Sequence, residues 1–80
     1  MQYVYILLCA DGLTYVGCTN DLKERIQRHI KGQVPATVLR LPVLLIFYSA
    51  FKDKYKAYDF EKYLKTGSGR VFIKKRLIKN

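Results

Sequence analysis

The chain opens on an apolar run that does not alternate. Tyr3 to Cys9, "YVYILLC", is apolar at every position and rich in aromatic and branched side chains, the pattern of a strand covered on both faces. "ADG" at 10–12 is a turn signal, and Leu13 to Cys18 reads as a second strand, so the chain begins with a β-hairpin. After Asn20 the period changes to that of a helix. Leu22, Ile26 and Ile30 recur on one face, Asn20 or Asp21 caps the start with Glu24 completing a capping box, and Gly32 stops it. Pro35 and Pro42 bound a loop over 33–42, and "VLLIFYSAF" at 43–51 predicts a third strand. Asp53 caps a second helix that reaches about Lys65 and is closed by Gly67, with Ala57, Phe60 and Leu64 as its apolar stripe. Ser68 caps a short, strongly basic third helix, "GRVFIKKRLIK". The order ββαβαα predicts a small α/β (α+β) sandwich: a three-stranded, mostly antiparallel sheet flanked by helices.

The length of the hairpin turn decides which side chains share a face. A two-residue Asp11-Gly12 turn sets Tyr15 against Leu8 and sends Tyr5 to the other side of the sheet. A three-residue Ala10-Asp11-Gly12 turn, with Gly12 at positive φ, pairs Tyr15 with Leu7 and puts Gly17 opposite Tyr5. The second register is expected. It places Tyr5 and Tyr15 on one face and leaves open space at Gly17 beside the Tyr5 ring. On the first helix the apolar stripe is roughly 80° wide at about 100° per residue, and Arg25 and His29 fall on its edge, neither in the core nor fully outside. Glu61 lies beside the stripe of the second helix rather than opposite it. Pairing with Lys65 gives Glu61 a few tenths of a kcal/mol but does not require that edge position. Tyr5, Tyr15, Arg25, His29 and Glu61 are therefore expected to converge on one concave surface.

Composition changes the picture in one respect. Eighty residues without a repeat or linker predict one domain over 1–80, burying about 60% of its unfolded surface. Fifteen Lys and Arg against six acids give a net charge of +9, which calls for an anionic partner: nucleic acid first, an acidic membrane surface second. Lys31, Arg40, Lys65, Arg70, Lys74, Lys75 and Arg76 are the expected nucleic-acid-binding surface. The opening apolar run falls far short of the roughly 20 residues that span a bilayer and reads as a strand of the mature protein, so the expectation is a cytoplasmic protein without a membrane partner. Cys9 and Cys18 do not form a disulfide framework and are expected as reduced thiols. One His and two Cys at scattered spacing argue against structural zinc.

"YVYILLCADGLTYVGCTNDLKERIQRH" resembles the start of a GIY-YIG nuclease domain of the short single-domain bacterial type. The half-motifs appear as Tyr3-Val4-Tyr5 and Tyr15-Val16-Gly17, the following T-N-D-L-x-x-R-x-x-x-H run as Thr19 to His29, and the second-helix block as "AYDFEKYLKTGSGR". The resemblance implies hydrolysis of DNA phosphodiester bonds, in DNA repair or processing, with one divalent ion, Mg²⁺ or Mn²⁺. It implies that Tyr5 and Tyr15 are the motif tyrosines and Gly17 the close-approach glycine. By the same resemblance Arg25 is the cationic stabiliser, His29 a base or base partner, and Glu61 the metal ligand. Two departures stand out: Tyr3 replaces the glycine of the family name, and the loop "QVPATVLRLP" is apolar for a surface facing nucleic acid. That loop leaves room for a protein partner. The rival readings are a nucleic-acid-binding module without catalysis and a small protein-binding adaptor.

Overall fold

The computed structural model describes residues 1–77. Strand β1 (Gln2–Cys9) turns into β2 (Thr14–Thr19), helix α1 (Leu22–Ile30) follows, and a loop with one 3-10 turn at Val38–Arg40 leads to β3 (Val43–Phe51). Helices α2 (Lys54–Leu64) and α3 (Gly67–Phe72) complete the order, and the chain runs on as a π-helical turn at Ile73–Leu77. The sheet is antiparallel throughout, in the order β2-β1-β3. As the central strand, β1 is covered on both sides: Val4, Tyr5, Ile6 and Leu7 are all fully buried. That explains its unbroken apolar run, and each such side chain contributes on the order of 1.5–3 kcal/mol.

The hairpin takes the three-residue loop. Leu7 pairs with Tyr15 and Tyr5 with Gly17, the Cys9 N–H donates to the Leu13 carbonyl at 2.9 Å, and Gly12 has a φ of 83°. The register separates two layers. Val4, Ile6 and Val16 face Ala57, Leu64 and Ile73, which is the hydrophobic core beneath α2 and α3. Tyr5 and Tyr15 face the other way, where their rings meet His29 of α1.

Three local expectations are corrected. Helix α1 is capped by Asp21, whose carboxylate accepts the Glu24 N–H at 3.1 Å, but its buried face does not centre on the isoleucines. His29 is fully buried while Ile30 is 53% exposed. Ile30 is the last residue of the helix, and the chain reverses just beyond it at Gly32, φ 76°. Helix α2 stops at Leu64, and Gly67 does not close it; Gly67 is the first residue of α3. The cap of α3 is Thr66 rather than Ser68: its hydroxyl accepts the Gly69 N–H at 3.1 Å and donates to the Tyr63 carbonyl. Gly69 matters because a Cβ there would collide with the backbone of Tyr63 and Leu64. The basic third helix is thus a short α-turn passing into a π-turn, and its expected last residues, 78–79, lie outside the described residues.

Candidate active site

Tyr5 and Gly17 are cross-strand partners, and Tyr15, two residues from Gly17, stands on the same face. The Tyr5 side chain lies across Gly17, and a Cβ at that position would collide with the phenol hydroxyl and its ring carbon. The space expected beside the ring is therefore filled by the ring itself. The glycine accommodates the protein's own tyrosine.

Helix α1 lays His29 over this pair, with ring centroids 5.6 Å from Tyr5 and 5.3 Å from Tyr15. The Tyr5 hydroxyl is 2.8 Å from His29 Nε2, and His29 Nδ1 is 2.7 Å from Thr37 Oγ1. Tyr5, His29 and Thr37 are all fully buried. The expectation that His29 sits reachable on a rim is thus corrected: it is a core residue, tolerated there because both ring nitrogens are bonded. The half-buried, accessible groups are Tyr15, Arg25 and Glu61.

Arg25 lies one turn before His29, and its Nε is a buried donor with no partner among the described residues. Its cation acts on both neighbours. Burial, with a smaller push from Tyr15 and a slight one from Glu61, drives the Tyr5 phenol up to about 12, and the Arg25 guanidinium only partly opposes this. Burial pulls the His29 imidazole below its ordinary value, helped by Arg25 and then Arg28. At neutral pH the buried pair is a protonated phenol and a neutral imidazole. The carboxylate of Glu61, carried by α2 against β1 and β2, lies within electrostatic reach of Tyr5. Its Oε2 accepts from Lys65 Nζ at 3.1 Å.

Beside Tyr15 opens a groove of about 600 Å³ whose lining includes Arg40, Lys65, Arg70 and Lys74. Lys31, Lys75 and Arg76 are exposed but do not line it. Arg40 is partly committed elsewhere: its Nε donates to Asp11 Oδ2 at 2.8 Å. That contact, together with the Leu13 N–H, holds the Asp11 carboxyl below its usual range. Cys9 and Cys18 are both free.

Among the described residues no three His, Cys, Asp or Glu side chains gather as a metal cluster. A lone carboxylate is a poor zinc site. It fits a hard cation that keeps several waters and takes one or two protein oxygens, as Mg²⁺ does. Among the described residues Lys65 is the cation paired with Glu61, through a surface ion pair worth little.

Sequence reasoning missed Thr37. It lies in an irregular loop with no periodicity to assign it a face. The only available signal was that it is the one hydroxyl in "QVPATVLRLP".

The family model described as the GIY-YIG catalytic domain matches residues 1–76. The chain belongs to the GIY-YIG family. Its relatives are UPF0213 proteins. One from Lacticaseibacillus paracasei is 45% identical over 64 residues, covering 79% of this chain and 72% of the relative. Another from Clostridium perfringens is 42% identical over 66 residues, covering 81% and 71%. The solution NMR structure of a UPF0213 protein from Bacillus halodurans matches with a TM-score of 0.59 at 35% identity, over 91% of this chain and 82% of that one. In this GIY-YIG domain the two half-motifs are neighbouring strands, and their pairing is what sets Tyr5 on Gly17. No helix among the described residues is long and apolar enough to cross a membrane.

Proposed function

We propose that this GIY-YIG chain, as a single domain over 1–80, is a metal-dependent endonuclease that hydrolyses DNA phosphodiester bonds in repair or processing in the cytoplasm. The observation that carries the reading is the partnerless, buried Nε of Arg25, one turn before His29 on the helix that covers Tyr5 and Tyr15. A buried cationic donor without an acceptor is costly in isolation and becomes an asset when an anion binds. A DNA phosphate is such an anion, and the +9 chain attracts it.

In this reading Arg25 holds a non-bridging phosphate oxygen and meets negative charge as it develops. Tyr15, the accessible phenol, orients the attacking water. Tyr5 and His29 stand behind it, and His29 exchanges a proton only through Tyr5 because its other nitrogen is engaged by Thr37. Glu61 is the metal ligand, released by Lys65 when the groove fills. One Mg²⁺ or Mn²⁺ ion bound there supplies the charge that neutralises the leaving alkoxide. Arg70, Lys74, Lys65 and Arg40 hold the strand along the groove, and Lys31, Lys75 and Arg76 extend the positive field. The 96% exposure of Leu39 favours a second role for loop 33–42, the docking of a protein partner.

The test is a panel of labelled DNA structures incubated with Mg²⁺, with Mn²⁺ and with EDTA. Cleavage that needs the metal is expected. Binding that weakens with salt but cuts nothing on any substrate supports the non-catalytic module instead, and affinity indifferent to salt supports the adaptor.

A further inference from the structure

His29 is the only histidine in the chain, and it is held at both ring nitrogens by residues far apart in sequence. A neutral imidazole donates from one nitrogen and accepts at the other, and the hydrogen bond made by each fixes the role of its opposite. Two directions are available. Tyr5 can donate to Nε2 while Nδ1–H donates to Thr37, or Thr37 can donate to Nδ1 while Nε2–H donates to Tyr5. The two hydroxyls differ in acidity, and that chooses between them. A phenol is a stronger donor and a weaker acceptor than an aliphatic hydroxyl. The Tyr5 O–H therefore points at Nε2, its one hydrogen-bond partner among the described residues, and the Nδ1–H points at the Thr37 oxygen.

We propose that Thr37 is a positioning residue: by accepting the Nδ1–H it fixes the ring orientation and tautomer of His29, so that the Nε2 lone pair is presented to the Tyr5 hydroxyl. Thr37 is well suited to this. It begins the 3-10 turn at Val38–Arg40 and is pinned by its own backbone, with its N–H donating to the Val34 carbonyl at 3.1 Å and its carbonyl accepting from the Arg40 N–H at 2.9 Å. A threonine hydroxyl on so constrained a backbone cannot follow a tilting ring, so the ring is held to it. The loop that looked least like part of a catalytic centre thus sets the proton position inside it. The catalytic consequence rests on the nuclease reading above, whereas the tautomer does not.

The experiment is long-range proton–nitrogen NMR on uniformly ¹⁵N-labelled protein at neutral pH, where the single histidine gives one unambiguous set of imidazole signals. In the wild type Nδ1 is expected to be protonated and Nε2 bare. Thr37→Val keeps the shape and removes the acceptor, so the proton is expected to shift toward Nε2. Cleavage should fall on the order of tenfold, the lower end of what outer-shell partners of functional histidines contribute. Thr37→Ser restores both. A wild-type spectrum with the proton on Nε2 overturns the proposal, as does an unchanged tautomer in Thr37→Val. If Thr37→Val does not fold, the wild-type and Thr37→Ser spectra still decide. A wild type that cleaves no DNA sinks the nuclease reading and leaves the tautomer result standing.

Discussion

The Tyr5 phenol occupies the volume that a side chain on Gly17 would take, one strand across in the hairpin. The glycine of the second half-motif and the tyrosine of the first are therefore one packing unit. Gly17→Ala is expected to destabilise the protein by about 1–3 kcal/mol, as overpacking of a rigid core does. The same substitution in a Tyr5→Leu background should cost clearly less, because the colliding atoms are gone. Denaturant unfolding of the four proteins in the cycle gives the coupling, and strictly additive effects would contradict the unit.

His29 makes stability depend on pH in a defined direction. Its folded value lies below the ordinary 6.5. Between the two values the unfolded chain binds the proton more readily, so acidification favours unfolding. The histidine's contribution is complete above 6.5 and is lost as pH falls through that value toward the folded one. Thermal unfolding between pH 8 and pH 5 should show the decline, and His29→Gln should flatten it even if that variant is less stable throughout. A wild-type profile unchanged over this interval would mean that the buried imidazole takes up a proton without penalty.

Catalysis and binding should separate at Glu61. Glu61→Gln keeps the shape and removes the charge assigned to the metal, so cleavage is expected to fall on the order of 100-fold. DNA affinity should persist or rise, since an acid has been deleted from a +9 chain. Arg25→Lys keeps the charge but not the forked donor set and should also lose most activity. Both are to be compared on protein shown by circular dichroism to be folded. Full cleavage by Glu61→Gln would remove its metal role.

The groove beside Tyr15 gives a prediction in salt. If Arg70 and Lys74 neutralise phosphates, replacing both with alanine should make the slope of log affinity against log salt shallower by about 2. The loss should be similar across DNA sequences, because phosphate contacts carry no base information. Titrations at several salt concentrations measure it directly. An unaltered slope would move the DNA path to the exposed Lys31, Lys75 and Arg76.

Much of this was legible in the chain because it rests on short-range rules. The length of the turn ending at Gly12 fixes the hairpin register and the Asp21 cap fixes the start of α1, and the register brings Tyr5 and Tyr15 to one face. What was not legible depends on distant partners. A histidine at the edge of a helical stripe reads as a boundary residue. It becomes a core residue only when Tyr5, 24 positions away, and Thr37, 8 positions away, satisfy both nitrogens. The exposure of Ile30 follows from where the chain turns after α1, and hydrophobic spacing does not encode that. The cap of α3 passed from Ser68 to Thr66 because both residues offer a hydroxyl, and only the actual start of the helix selects one.

The anchoring of Arg40 gives loop 33–42 an unusual property for a surface segment. Its carbonyl accepts from the Ala10 N–H at 3.0 Å and its guanidinium grips Asp11 at 2.8 Å, both at the tip of the hairpin. Three positions earlier, Thr37 is tied to His29. Residues 37–40 therefore act as a gauge block between helix and hairpin, their length setting where the imidazole stands above Tyr5. Loops ordinarily absorb insertions and deletions freely. Here one residue more or less between Thr37 and Arg40 would pull the ring off its phenol or tear the arginine from Asp11.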